Sequence, residues 1–595
     1  MSKETYQHLE ALRRLMDSKG VDAVIVPGTD PHHSEYVSDH WKFRRWLTGF
    51  NGSNGTAVVT KRHAALWTDS RYFLQAEQQL QESGFELCRE GIDGEPTVEQ
   101  WLADHLRGDA MVAVDGRLFS MMEANRLENF CGENGFLFAP NFYPADELWH
   151  DRPERPMNPV SVHDEDLAGE TVASKVERVM ERVHAYGCDS LLVTSLDDIA
   201  WLLNIRGTDV AFTPVAIAFA YVSDRDRVLF IDDKKVTREV KEHLNKYNVR
   251  VRDYDDVEHF LERRSQDNVI LLDPNRVSDT LGQALMCGKV YAASPVAALK
   301  AVKNDVQLAG FRAAMERDGA ALVRMFKWLE ENVAGGTLTE LDVDARLRQE
   351  RAMSDMYRGD SFGMIAGYKE HGAIVHYSAT AATAATLKPT GLLLVDTGGQ
   401  YLDGTTDITR TITLGDTTAT ERRDYTLVLQ GHLALARAQF PTGTCGVQLD
   451  ALARMPLWQQ GMGYLHGTGH GVGHYLGCHE GPHSIRMDLN GTALQPGMVT
   501  SNEPGVYKAG RYGIRIENLM AVTRGESSEE FGDFLRFETL TLFPYDARLI
   551  DLEMLTPQEV EQINDYHRTV EQRLAPHLTA DEAAWLHEKC RALPK

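Results

Sequence analysis

The sequence predicts a protein of mixed α/β and α+β class: one α/β unit used twice, a larger third unit of strands and glycine-rich turns, and a helical C-terminal segment. Three observations carry that reading. The chain has 595 residues, which at about 100–200 residues per domain corresponds to roughly three to five structural units. Two stretches of the first half share a pattern: a helix over 9–17 leads into Gly20-Val-Asp-Ala-Val-Ile-Val-Pro27, and a helix over 176–186 leads into Gly187-Cys-Asp-Ser-Leu-Leu-Val-Thr194. In each, a glycine stops an amphipathic helix and a short apolar strand follows. Beyond about residue 300 the texture changes to apolar strands separated by glycine-rich turns, with most of the clustered histidines and carboxylates.

The elements follow in order. In the first copy, Trp46-Leu47 opens a run to Val59 that is followed by the apolar 65–69; in the second, Trp201-Leu202 leads to strands over 215–221 and 227–232. A longer loop over 29–45 in the first copy absorbs the difference in spacing. The proline-rich Asp151-Arg-Pro-Glu-Arg-Pro-Met-Asn-Pro159 reads as the linker, so the copies span 1–155 and 156–302. The third unit, 303–545, begins with a helix capped by Asn304 or Asp305, with Leu308, Phe311, Met315, Leu322, Phe326 and Leu329 along one stripe. Gly335-Gly336 ends it. The last stretch, 546–595, is polar and helical in pattern and is expected to pack on the third unit.

Composition removes several functions. Lys and Arg total 62 against 87 Asp and Glu, a net charge of −25, which repels phosphate backbones. Arg13-Arg14 and Arg44-Arg45 are isolated pairs, so no nucleic-acid partner is expected. No run of about 18 apolar residues suggests a membrane span, and the N-terminus lacks the apolar core of a secretory leader. Seven scattered cysteines without a Cys-x-x-Cys pair read as reduced thiols, and the expected compartment is the cytoplasm.

The chemistry concentrates in three places. An apolar strand ends in Asp396, a glycine turn reverses the chain, and Asp407 opens a second, alternating strand, so a hairpin can bring both carboxylates to one side. Adjacent carboxylates repel unless a proton or cation sits between them. Next comes His466-Gly-Thr-Gly-His470-Gly-Val-Gly-His474, followed by His479. Three glycines within 467–471 would each cost a helix about 1 kcal/mol, so this stretch is strand or loop and the helical zinc motif is excluded. Finally, Glu503 precedes a Pro-Gly turn, and in Gly513-Ile-Arg-Ile-Glu517 alternation puts Ile514 and Ile516 on one face, Arg515 and Glu517 on the other. Asp396, Asp407, His470, Glu503 and Glu517 together make a hard, oxygen-rich set. It carries more charge than one divalent ion requires; Mn²⁺, Co²⁺ and Zn²⁺ all suit it. Two such ions about 3.5–4 Å apart support hydrolysis.

The ordered pattern of Asp396 and Asp407, His-Gly-Thr-Gly-His-Gly-Val-Gly with His-Glu-Gly-Pro482, Glu503-Pro-Gly and Gly-Ile-Arg-Ile-Glu-Asn518 resembles the pita-bread metallopeptidases, specifically the Xaa-Pro aminopeptidase branch. Trp67-Thr-Asp-Ser-Arg71, the stretch 197–209 and Phe537-Glu-Thr-Leu-Thr-Leu-Phe-Pro544 extend the likeness to its three-domain form, over nearly the whole chain. The resemblance implies two creatinase-like domains before a pita-bread catalytic domain, two divalent cations (Mn²⁺ first, Co²⁺ or Zn²⁺ otherwise) and a homodimer. It implies that Asp396 holds one ion, Asp407 and Glu517 bridge, and His470 with Glu503 completes the second site. Glu503 would be the general base, His376 and His479 would contact substrate near the scissile bond, and His466 would line the site. Arg515 and Arg71 would bind the peptide; His474 receives no role. The implied substrate is a peptide with proline in second position. The alternatives are a prolidase acting on Xaa-Pro dipeptides, an inactive pita-bread module that binds peptides or proteins, and a creatinase-like amidinohydrolase.

Overall fold

The computed structural model describes residues 2–264 and 266–594. They form two compact units: the first runs through His163 and resumes at Glu170–Val296, and the second takes Asp164–Gly169 and the described chain from Ala297 onward.

The first unit holds two six-stranded sheets. One comprises β1 (Ala23–Val26), β2 (Thr56–Thr60), β3 (Ala64–Thr68), β4 (Glu86–Arg89), β5 (Met111–Ala113) and β6 (Leu137–Ala139), in the order β4-β3-β2-β1-β5-β6. The other comprises β7 (Ser190–Val193), β8 (Phe219–Ser223), β9 (Arg227–Phe230), β10 (Val249–Arg252), β11 (Val269–Leu272) and β12 (Gly288–Tyr291), in the order β10-β9-β8-β7-β11-β12. The second strand of each sheet is antiparallel to both neighbours and every other pairing is parallel. Identical order and polarity throughout bear out the duplication expected from two short motifs. β1 shows why such strands are apolar at every position. Val24 and Val26 pack with Leu9, Leu12 and Met16 of one helix, while Ala23 and Ile25 pack with Trp101, Leu102 and Leu127 on the opposite face. Gly20 and Gly187 take φ of +70° and +74° where the preceding helices stop.

The second unit opens with helix α1 (Asp305–Asn332), whose capping box joins Asn304 and Gln307. Phe311, Met315, Leu322, Phe326 and Leu329 enter the core as the stripe predicts. The strands that matter for the site are β13 (Ile365–Tyr368), β14 (Leu392–Thr397), β15 (Ile408–Thr413), β16 (Gln439–Pro441), β17 (Gly469–Gly471), β18 (Glu480–Ile485), β19 (Val499–Asn502), β20 (Gly505–Lys508), β21 (Tyr512–Arg515), β22 (Asn518–Ser528) and β23 (Gly532–Thr539). They form a three-stranded sheet β13-β14-β15, a six-stranded sheet β16-β23-β22-β19-β17-β18 and the ribbon β20-β21.

Two features go beyond the sequence reading. The turn between Asp396 and Asp407 is not a simple reversal: 399–401 and 404–405 form a small hairpin of their own, with Asp403 in its turn, paired to Tyr357–Asp360. The C-terminal helices α2 (Pro557–Leu574) and α3 (Ala580–Lys589) share the core instead of lying over it. Val560, Ile563, Val570 and Leu574 recur at helical spacing along one stripe of α2. Val570, Leu574 and, from α3, Leu586 join the cluster around Phe311 and Leu519, while Val560 and Ile563 join Ile514 and Ile516.

Candidate metal centre

The five candidate ligands arrive from strand ends and one strand centre. β14 and β15 are antiparallel with Asp396 opposite Thr409. Asp407 lies two residues before Thr409, so both side chains leave the same face. His470 sits in the middle of β17 between glycines. A Cβ at Gly469 would meet the Ser501 carbonyl, and one at Gly471 the Glu480 carbonyl, so the missing side chains let β18 and β19 close around the histidine. Glu503 follows β19 directly, and Glu517 lies between β21 and β22.

These residues converge. The ligand atoms of Asp407, His470 and Glu517 lie within 4.8 Å of one another. His470 Nε2 is 3.3 Å from Glu503 Oε1 and 3.5 Å from Asp407 Oδ2. His470 Nδ1 sits 2.9 Å from the Gly471 carbonyl; that oxygen can only accept, so Nδ1 donates to it and Nε2 is the ring nitrogen turned toward the carboxylates. Thr409 donates to Glu517 Oε2 at 2.8 Å, and Arg515 donates to Asp396 Oδ2 at 2.6 Å.

The electrostatics show what the cluster lacks. Burial pushes Glu503 up to about 7; Asp407 and Asp396 add to the rise, and His470 and Arg515 oppose it. Glu517 is driven well above the carboxylate range by burial and by Asp407, Glu503 and Asp396. Burial and Asp407 raise Asp396 against the pull of Arg515. Asp407 alone goes down, because its hydrogen bond and charge contact with His470 outweigh burial. Burial and His479 push His470 down, yet Asp407 and Glu503 prevail and raise it. Among the described residues, Asp396 Oδ1 is buried with no hydrogen-bond donor. A donorless carboxylate oxygen, a histidine nitrogen turned inward and mutually repelling carboxylates fit a pair of hard divalent cations.

Other predicted residues fall around this centre. The His479 ring lies 4.5 Å from that of His470. The turn carrying His376 is tied to the site through its neighbour, since Arg515 reaches the Val375 carbonyl at 3.4 Å. His466 Nε2 is 2.7 Å from the Tyr507 hydroxyl, and Arg515 donates to that hydroxyl at 2.7 Å. Hence His466, Tyr507, Arg515 and Asp396 form one hydrogen-bonded chain. His474 packs edge-on to Phe311. Arg71 belongs to the first unit and forks onto Asp69 at 2.7 and 2.8 Å. Sequence reasoning missed Thr409, Tyr507 and Cys478, whose thiol donates to Asp407 Oδ2 at 3.2 Å. Thr409 was findable from its two-residue spacing to Asp407; for Tyr507 and Cys478 no local pattern points to the partner.

Among the described residues no helix is long and apolar enough to cross a membrane. Residues 309–524 match the model of metallopeptidase family M24, 8–148 and 151–307 match creatinase/prolidase N-terminal domains, and 533–593 match the C-terminal region of peptidase M24. Aminopeptidase P2 of Arabidopsis thaliana is 39% identical over 99% of this chain and 89% of its own length. Aminopeptidase P1 of Lotus japonicus is 40% identical over 97% and 98%. The crystal structure of an X-prolyl aminopeptidase from Caenorhabditis elegans, described as a cytosolic enzyme with a di-nuclear active site, superposes with a TM-score of 0.96 at 34% identity over 100% of both chains. With relatives matched from end to end, the two N-terminal sheets included, the chain belongs to the aminopeptidase P family of M24 metallopeptidases.

Proposed function

We propose that this protein is a metal-dependent aminopeptidase that releases the N-terminal residue from peptides with proline in second position. The observation that carries the reading is the convergence of Asp396, Asp407, His470, Glu503 and Glu517 into one buried, charge-deficient cluster. In this reading Asp396 would hold one divalent cation, His470 with Glu503 would hold the other, and Asp407 and Glu517 would be shared between them. Mn²⁺ is the favoured ion, with Co²⁺ and Zn²⁺ as substitutes. When bound, the pair polarises the scissile carbonyl and acidifies the attacking water.

The rest is done by the chain. Proline nitrogen carries no N–H, so a peptidase cannot grip the scissile bond through that proton. The departing prolyl nitrogen is basic and must be protonated. Glu503, beside His470 in the cluster, is the carboxylate that takes a proton from water and gives it up. His376 and His479 contact the substrate beside the scissile bond, and His466 lines the site. Arg515 binds substrate from its station on Asp396 and Tyr507, and Arg71 is a further peptide-binding residue. The enzyme works in the cytoplasm as a homodimer. A full-length match to aminopeptidase P relatives favours this reading over a dipeptide-only prolidase.

The test is hydrolysis of an Xaa-Pro-Xaa tripeptide beside the Xaa-Pro dipeptide, with and without a chelator, followed by Mn²⁺, Co²⁺ or Zn²⁺. Release of the first residue from the tripeptide, lost on chelation and restored by metal, is expected. Cleavage of the dipeptide alone would make it a prolidase, and chelator-resistant cleavage would remove the metal.

A further inference from the structure

Behind the ligand strands lies a polar cluster that the mechanism does not use. Arg410 follows Thr409 on β15 and is 1% exposed. Alternation sends it to the face opposite Thr409, away from the ligands. None of its partners is a carboxylate. Nη1 donates to the Glu517 carbonyl at 2.7 Å and the Thr409 carbonyl at 3.0 Å. Nη2, with two hydrogens to give, lies within hydrogen-bond reach of Asn518 Oδ1 at 2.8 Å, the Phe543 carbonyl at 2.6 Å and the Tyr566 hydroxyl at 3.0 Å. Nε donates to the Pro544 carbonyl at 3.2 Å.

Glu517 is a candidate bridging ligand, and Tyr566 belongs to α2, the first helix of the C-terminal region. The Tyr566 hydroxyl donates to the Thr541 carbonyl at 2.9 Å while receiving Arg410. The next residue, His567, accepts the Tyr545 amide at 3.1 Å. Tyr545 in turn reaches His432 Nε2 at 3.0 Å, and His432 Nδ1 holds the Asn502 carbonyl at 3.0 Å, one residue before Glu503. Two side chains of α2 thus connect to the backbone beside two metal ligands.

We infer that the C-terminal region is part of the metal-holding machinery: Tyr566 positions Arg410, and Arg410 positions the backbone of Glu517 for the divalent cations. The inference rests on the dinuclear reading above. A guanidinium satisfied wholly by neutral oxygens has fixed directions and little slack, so loosening one contact moves the others. Groups that orient ligands from behind typically govern metal affinity by about 10–100-fold.

The test is Mn²⁺ binding to the metal-free full-length protein by calorimetry, with thermal melting recorded alongside. Tyr566→Phe deletes one hydroxyl from a helix whose apolar stripe stays intact. It should bind Mn²⁺ about 10–100-fold more weakly, with activity lost at limiting Mn²⁺ and recovered at saturation. Val570→Ala, on the same helix and fully buried, opens a cavity without touching Arg410; it should lower the melting temperature and leave Mn²⁺ affinity unchanged. Wild-type affinity in Tyr566→Phe, or equal weakening in Val570→Ala, would overturn the inference. Should Tyr566→Phe not fold, Arg410→Lys, which keeps the charge and loses the fork, carries the same prediction. A wild type that binds no Mn²⁺ would instead overturn the dinuclear reading, and this inference with it.

Discussion

Glu480 and Glu517 are both buried glutamates of the same unit, and their surroundings are opposite. Lys300 Nζ and Lys303 Nζ stand 2.9 and 2.6 Å from the Glu480 carboxylate. Burial would raise its pKa, and the two ammonium groups more than reverse that, holding it below the ordinary value. Glu517 has a hydroxyl from Thr409 and is pushed well above the ordinary range by burial and by Asp407, Glu503 and Asp396. A carboxylate buried for structure brings its counter-charges from the chain. One buried for chemistry leaves them to be supplied by an ion, and that difference separates scaffold from site more clearly than burial does.

The contrast can be broken by substitution. Glu503→Gln removes the group that carries the proton and should lower kcat by about 10²–10⁴-fold, with circular dichroism unchanged. Near-normal turnover would cancel the role given to Glu503. Next in size is a stability comparison in metal-free protein. Glu480→Gln removes a shared counter-charge from two buried ammonium groups and should cost about 3–5 kcal/mol in a urea titration. Glu517→Gln replaces a carboxyl whose charged form burial and its neighbours already disfavour, and should be neutral or stabilising while weakening metal binding. Equal destabilisation by both would erase the distinction.

A pH series sharpens it with a smaller effect. Glu503 and Glu517 have folded-state pKa values raised above the unfolded ones. Their contribution is therefore fully present below the unfolded carboxylate value and lost as pH rises through the folded value, about 7 for Glu503. The metal-free protein should melt at progressively lower temperature from pH 5 to pH 8, and bound Mn²⁺ should flatten that slope. Parallel slopes with and without metal would show that the cluster is not what titrates.

Much of this was legible in the sequence for a local reason. Asp396 ends an apolar strand, and Gly469 and Gly471 flank His470; each departs from its neighbours in a way only chemistry or close packing requires. The paired sheets were legible because glycine stops and apolar strands recur in order. The rest depends on contacts between distant residues. Asp396 meets Arg515 across 119 positions, and Arg410 meets Tyr566 across 156. The small hairpin at 399–405 was hidden because Gly398-Gly399 and Asp403-Gly404 read equally well as one turn or two. The apolar stripe of α2 was overlooked because its exposed positions are charged, which made the segment look like an outer layer.

The central claim is that the acidic cluster is completed by a pair of cations. It is tested most directly by counting divalent metal per chain after dialysis of the Mn²⁺-loaded full-length protein, in wild type and in Asp407→Asn. Two ions per chain in wild type, with fewer than two retained when the bridging carboxylate is neutralised, is the result predicted. One ion or none in wild type, or two retained in Asp407→Asn, would contradict it.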